Sequence, residues 1–95
     1  TGGVQSLSGA GAVDIVNLVT EVTTTGADAL TLADGTVGQI KIITMIVDGG
    51  NGTLTPTTFA NGTNITFDAV NETVCLLFAN TIGWVVVSNS GATVA

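Results

Sequence analysis

One run of nine residues, Gln39–Val47 (Q-I-K-I-I-T-M-I-V), restricts the possible fold more than any other stretch of this chain. β-Branched side chains dominate it, and they suit a pleated strand better than a helix because their χ1 angles are already restricted. The run therefore predicts the longest strand. Its two faces would carry Ile40, Ile42, Thr44 and Ile46 on one side, and Lys41, Ile43, Met45 and Val47 on the other. Because both faces are largely apolar, we expect a second sheet and loops, or another subunit, to cover both sides.

Glycine-rich and Asn/Asp-rich turn signals separate this run from other short apolar stretches. The segment Asp48–Gly52 (D-G-G-N-G) predicts a turn that brings Thr53–Thr55 back to pair with the long strand. Pro56 would end the returning strand, because proline has no N–H to donate to a ladder. Further strands are predicted over Val13–Thr25 (one strand, or two that meet at a bend near Asn17), Ala29–Ala33, Thr63–Phe67, Thr73–Ala79 and Trp84–Ser88, the last two forming a hairpin.

These signals predict the fold class and the extent of the domain. No stretch shows the three- and four-residue apolar spacing of a helix, and turns recur every 8–12 residues. We predict an all-β chain: an antiparallel β-sandwich, jelly-roll-like or a small barrel, of about eight short strands with no significant helix. Residues 1–12 would form a flexible N-terminal arm, 13–88 the single domain and 89–95 a C-terminal tail. The segments A-D-A-L-T-L-A-D-G and G-G-N-G-T-L-T-P share a rhythm of a turn followed by T-L, but no convincing internal repeat is present.

The charge balance disfavours several classes of partner. Seven acidic residues and a single basic one, Lys41, give a formal charge of −6. Nucleic acids and anionic membrane surfaces are poor partners for such a chain, because binding to phosphates depends on Lys and Arg. No stretch approaches the about 20 apolar residues of a membrane span, and nothing near Thr1 marks the chain for secretion.

Few residues could support chemistry. The chain has no His and no Tyr, so the usual base near neutral pH is missing. Cys75 has no partner for an internal disulfide and is predicted to be a small buried hydrophobe. The loop D-G-G-N-G lacks the spaced carboxylates of a calcium loop and is better interpreted as a turn. We therefore expect no enzyme activity, no cofactor and no metal site.

A chain this short with strands that are apolar on both faces is expected to bury part of its surface against copies of itself. A domain of 95 residues hides only about 60–65% of the surface of its unfolded chain. Charged residues make up only 8% of the chain, which is easier to understand if much of the surface is interface. The residues expected in an oligomer interface or in the core are Ile40, Ile42, Ile46, Trp84 and Val86.

Five segments carry a resemblance to known proteins. They are L-T-L-A-D-G-T-V-G-Q (Leu30–Gln39), V-D-G-G (Val47–Gly50), T-L-T-P (Thr53–Pro56), F-A-N-G-T-N-I-T-F (Phe59–Phe67) and G-W-V-V-V (Gly83–Val87). In these segments the chain resembles small β-rich structural modules of tailed bacteriophages, found in capsid decoration (cement) proteins and in head or tail fibres.

The resemblance implies a virion structural protein, usually a homotrimer. The first hypothesis is a decoration protein whose trimers lie on the outer capsid surface and stabilise the shell by contact with the major capsid protein. The residues expected to contact the capsid are Thr1, Gly2, Gly3, Val4, Gln5, Ser6, Leu7 and Ser8. The alternative is a fibre tip or carbohydrate-recognition module, in which Trp84 or Phe59 would stack on a sugar.

Overall fold

The structure, a computed structural model, describes residues 2–95. Across that range the chain forms ten strands and no helix. The strands are β1 (Val4–Ser8), β2 (Gly11–Val13), β3 (Val19–Thr23), β4 (Asp28–Leu32), β5 (Ile40–Val47), β6 (Gly52–Pro56), β7 (Ile65–Phe67), β8 (Thr73–Ala79), β9 (Gly83–Ser90) and β10 (Thr93–Val94). Within residues 2–95, no helix is long and apolar enough to cross a membrane. The all-β prediction is confirmed.

The first six strands wind back and forth between two sheets. Sheet A has the order β1-β3-β5-β8-β9 and sheet B the order β10-β7-β6-β4-β2. Strands β1, β3 and β5 are parallel in sheet A, and β2, β4 and β6 are parallel in sheet B. The N-terminal half therefore makes three successive turns, each contributing one strand to each sheet. The remaining strands extend both sheets with antiparallel pairs.

Stacked loops explain why the chain winds in this way. Thr24 follows β3, and its Oγ1 accepts from Gly49 N (2.8 Å) and donates to Gly50 O (2.7 Å). A Cβ atom at Gly49 would overlap the carbonyl oxygen of Thr24, and one at Gly50 would overlap that of Gly26. The loop after β5 thus lies directly on the loop after β3. This arrangement carries the next strand into sheet B beside β4.

The two sheets share one apolar core. Sheet B contributes a row of Leu30, Leu54 and Ile65, which are aligned in register across β4, β6 and β7 and are at most 1% exposed. Sheet A contributes buried residues from its inner face, including Trp84, which is fully buried. The Trp84 ring packs edge-on against Phe78 with centroids 5.0 Å apart, and its Nε1 donates to Ala33 O at 2.9 Å. Burying each of these large apolar side chains stabilises the fold by about 2 kcal/mol.

Several predictions about pairing are wrong. Strand β5 does not form a hairpin with β6: it pairs with β3 and β8, and β6 lies in the other sheet. The sheets are mixed rather than antiparallel, and there are ten strands in residues 2–95 rather than about eight. Period-two alternation is the same in parallel and antiparallel strands, so it could not distinguish the two. The predicted hairpin between β8 and β9 is confirmed.

Both chain ends contain strands where a flexible arm and tail were expected. Strands β1 and β2 lie within or next to residues 1–12 and pair with β3 and β4, and β10 pairs with β7. Backbone hydrogen bonding to these neighbours can order a segment that has few large apolar side chains of its own.

Candidate interaction surface

The outer face of sheet A carries a continuous group of apolar side chains. Val19 and Ile42 are directly opposite each other on β3 and β5, and Ile40, Leu77 and Val85 form the adjacent row across β5, β8 and β9. We call these five residues the outer patch. Ile40 is 38% exposed, and the other four are half-buried although no element of the described chain covers this face.

The next row on the same face is polar. It contains Ser6, Glu21, Thr44, Thr73 and Ser90, one residue from each strand. The hydroxyls of Thr44 and Thr73 are 2.8 Å apart and share a hydrogen bond. The outer face is thus divided across the strands into an apolar part without charge and a polar part with one carboxylate, Glu21. An interface centred on the outer patch would bury no ionised group.

The only basic side chain of the sequence lies on the opposite, inner face of the same sheet. Lys41 on β5 is fully buried, and its Nζ donates to Asp14 Oδ1 (3.2 Å) and to the carbonyl oxygen of Asn17 (2.9 Å). Desolvation lowers the pKa of Lys41 below its usual value, and the carboxylate of Asp14 only partly offsets this effect. Lys41 therefore stabilises the loop between β2 and β3, and its ammonium group is not accessible to a partner.

Asp14 is held by the same loop. Its Oδ1 accepts from Asn17 N (3.0 Å) and its Oδ2 from Asn17 Nδ2 (2.8 Å). Burial acts to raise the pKa of Asp14, but the hydrogen bonds from Asn17 together with Lys41 outweigh it, so the pKa lies below the usual value. Every buried side-chain nitrogen and oxygen in the described range has a hydrogen-bond partner. The network therefore has a structural role: it joins the loop between β2 and β3 to β5, and none of its buried polar atoms lacks a partner.

A shallow depression lies beside the outer patch, with a volume of about 410 Å³. Its lining consists of Gly2, Val16, Asn17, Leu18, Gln39 and Ile40. It carries no ionised side chain, and among residues 2–95 no three side chains of His, Cys, Asp or Glu come together as a metal site requires. The depression extends the apolar surface around Ile40, with Val16 85% exposed and Leu18 36% exposed.

The structure separates the residues predicted for an interface or core into two groups. Ile40 and Ile42 belong to the outer patch, and Ile46 is 42% exposed at a β-bulge, where it is skipped in the pairing with β3. Trp84 is in the core, and Val86 packs against the core from the inner face of β9. Cys75 was predicted to be buried, but it is half-buried on the outer face, because it lies directly opposite Ile42.

Most of the predicted capsid-contact segment lies at the edge of sheet A. Thr1 is outside the described residues. Gly2 and Gly3 precede β1, and the side chains of Val4, Ser6 and Ser8 are exposed, whereas those of Gln5 and Leu7 point inward. The segment is therefore exposed on one side and anchored on the other.

Val19, Leu77 and Val85 were not predicted from the sequence as surface residues. Strands β8 and β9 are apolar on both faces, and only one face of a sheet can line the core between the two sheets. This pattern could have indicated apolar residues on the outer face. The chain matches no protein-family model, and a search of curated proteins returned no similar protein.

Proposed function

We propose that this protein is a structural component of a bacteriophage particle: a capsid decoration protein that forms homotrimers on the outer capsid surface and stabilises the shell. The observation that carries the proposal is the outer patch, an apolar surface on an otherwise acidic molecule. In this proposal the protein works through contacts with its own copies and with the major capsid protein, without catalysis.

Contact between copies is the best use of the outer patch on electrostatic grounds. Each copy carries a formal charge of −6, so copies that approach through acidic surfaces repel each other. The outer patch allows apolar contact without bringing carboxylates together. Around a threefold axis, three such faces would cover one another, and each side chain removed from water would contribute about 25 cal/mol per Å² of apolar area.

The contact with the shell is proposed for Thr1–Ser8, in which Val4, Ser6 and Ser8 have exposed side chains at one edge of sheet A. Val19, the outer-patch residue nearest to this segment, pairs with Val4, whereas Leu77 and Val85 lie on β8 and β9 at the opposite side of the sheet. A trimer centred on Leu77 and Val85 could therefore still present three N-terminal segments to the shell.

Carbohydrate recognition, the function considered for a fibre tip, has weaker support. Stacking on a sugar requires an exposed aromatic ring. Trp84 is fully buried, and Phe59 is partly buried and packed against the core. Neither ring offers an open platform.

A pair of matched substitutions tests the proposed interface. Leu77→Asp places a carboxylate in the outer patch, whereas Thr31→Asp places one on the exposed outer face of sheet B. We expect Leu77→Asp to convert trimers to single chains in sedimentation experiments and to reduce binding to undecorated shells, while Thr31→Asp leaves both unchanged. Equal behaviour of the two folded variants would rule out the outer patch as the subunit interface.

A further inference from the structure

We propose that β1 is a strand-addition edge that pairs, antiparallel and about a twofold axis, with β1 of a second copy. This contact is distinct from the outer patch and from the proposed threefold contact. The proposal rests on a comparison of the backbone groups at the four free sheet edges. An unpaired strand edge exposes N–H and C=O groups that can template pairing with another chain.

Three of the four edges are closed by groups from the chain itself. At the edge of β9, Trp84 N donates to Thr58 O (3.0 Å), Ala60 N donates to Trp84 O (2.9 Å), and Val86 N donates to Asn61 Oδ1 (2.8 Å). The loop that contains Thr58, Ala60 and Asn61 therefore occupies the outward groups of β9 at Trp84 and Val86. Beyond them the pairing of β9 with β8 has a bulge at Val87, and a bulge also protects an edge.

Side-chain amides close the edges of sheet B. On the free side of β2, Gln5 Nε2 donates to Ala12 O (3.0 Å) and Gln5 Oε1 accepts from Asp14 N (2.9 Å). These are the two backbone groups that a parallel neighbour would use. Next to β10, the amide of Asn89 donates to Ala92 O (2.7 Å) and accepts from Ala92 N (3.0 Å). Strand β10 itself is only two residues long.

No such closure exists at β1 among residues 2–95. Val19 N donates to Gly3 O, and Gly9 N donates to Thr23 O, so the odd-numbered peptides of β1 face β3. The peptides of Val4, Ser6 and Ser8 consequently face away from the sheet. The strand V-Q-S-L-S has no charge and no proline, and its pairing with β3 has no bulge. A charge, a proline or a bulge usually protects an edge strand from pairing, and β1 has none of the three.

A second copy of β1 fits this edge without a change of register. With Ser6 opposite Ser6 of the second copy, Val4 lies opposite Ser8 and Ser8 opposite Val4. Each outward-facing peptide then meets an outward-facing peptide. The contact brings no charged side chain of β1 against another, which matters for two molecules that each carry a charge of −6. Pairing uses the backbone edge and leaves the exposed side chains of β1 free, so on a shell it would link neighbouring trimers.

Disulfide trapping tests the pairing. In a Cys75→Ser background, Ser6→Cys should form a disulfide between two chains under mild oxidation, because opposed residues in such a pair have Cα atoms about 5.5 Å apart, within disulfide range. The matched control is Ser90→Cys, an exposed serine on the same face of sheet A at the opposite edge. We expect Ser6→Cys to cross-link at least about tenfold faster than Ser90→Cys, since only its thiols are held together.

The register and the role of the backbone are tested with a mixture of Val4→Cys and Ser8→Cys chains, which should cross-link with each other but not with themselves. Adding Ser6→Pro to both chains removes an edge N–H without breaking a bond to β3, and should abolish this cross-linking while Trp84 fluorescence stays native. Cross-linking of Ser6→Cys at the rate of Ser90→Cys, or pairs that survive Ser6→Pro, would overturn the proposal. Pairing by β1 in a protein that is not trimeric would leave this inference intact and refute only the proposed trimer.

Discussion

Replacing Asp14 by Asn is expected to destabilise the protein more than replacing Lys41 by Met. Lys41 is fully buried and bonds to Asp14 Oδ1 (3.2 Å) and Asn17 O (2.9 Å). Removing one partner of a buried ion pair costs about 3–5 kcal/mol, because the other charge stays in a medium of low dielectric. The Asp14 side chain is 30% exposed, so solvent screens the pair and we expect a loss of about 2 kcal/mol.

The Lys41→Met substitution removes the buried charge and keeps an unbranched apolar chain in its place. We expect it to cost about 1 kcal/mol, because the carboxylate it leaves behind is 30% exposed and keeps both hydrogen bonds from Asn17, so that mainly the donor to the Asn17 carbonyl oxygen is lost. Adding Lys41→Met to Asp14→Asn should therefore recover part of the stability lost in Asp14→Asn. Burial alone would predict the opposite order, with Lys41→Met the more destabilising variant, because Lys41 is more buried than Asp14.

Urea unfolding followed by Trp84 fluorescence measures these differences, at one protein concentration because association stabilises the folded state. A loss of 2 kcal/mol corresponds to about 8–16 °C in the melting temperature of a domain this size. Asp34→Asn, at an exposed position after β4, removes the same charge from the surface and serves as the control. Unfolding of Asp14→Asn at the same urea concentration as Asp34→Asn, or a lower stability of Lys41→Met than of Asp14→Asn, would contradict this expectation.

Two further predictions concern the same lysine and the stacked loops. Because the pKa of Lys41 is lowered in the folded state, the unfolded chain binds more protons below pH 10.5, so the free energy of unfolding should rise as the pH increases towards 10.5. Urea titrations between pH 8 and 10.5 should show this rise in the wild type and a smaller one in Lys41→Met. Gly49→Ala should destabilise the protein by more than about 2 kcal/mol, because its Cβ would overlap the backbone of Thr24. Gly26→Ala, whose Cβ would meet open space, should be close to neutral in thermal unfolding, and equal losses in both variants would contradict the stacking of the loops.

The sequence was sufficient to predict strands but not their partners. Apolar and β-branched runs between turn signals located β3 to β9. Both faces of β5 were expected to be covered, but the described chain covers only the face that carries Lys41, Ile43 and Met45. The winding was not anticipated. Leu30-Thr31 and Leu54-Thr55 lie in register on neighbouring parallel strands, whereas the T-L dipeptides Thr31-Leu32 and Thr53-Leu54 are offset by two residues. Two aligned copies of a short pattern were too few to recognise as a repeat.

The contacts that depend on distant parts of the chain could not be predicted. Gln5 closes the edge of a strand seven residues away, and Lys41 bonds to a loop 24 residues earlier. Nothing in the local sequence around Lys41 shows which face of β5 is turned to the core, because both faces carry isoleucine. The assignment of a face requires knowledge of what packs on it, and that depends on the whole topology.

The mass of the wild-type protein in dilute solution, measured by native mass spectrometry or sedimentation, tests the proposed function most directly. We expect a mass of three times the 9.4 kDa of the chain, or of a multiple of three chains. A folded single chain that leaves the outer patch in water would contradict it.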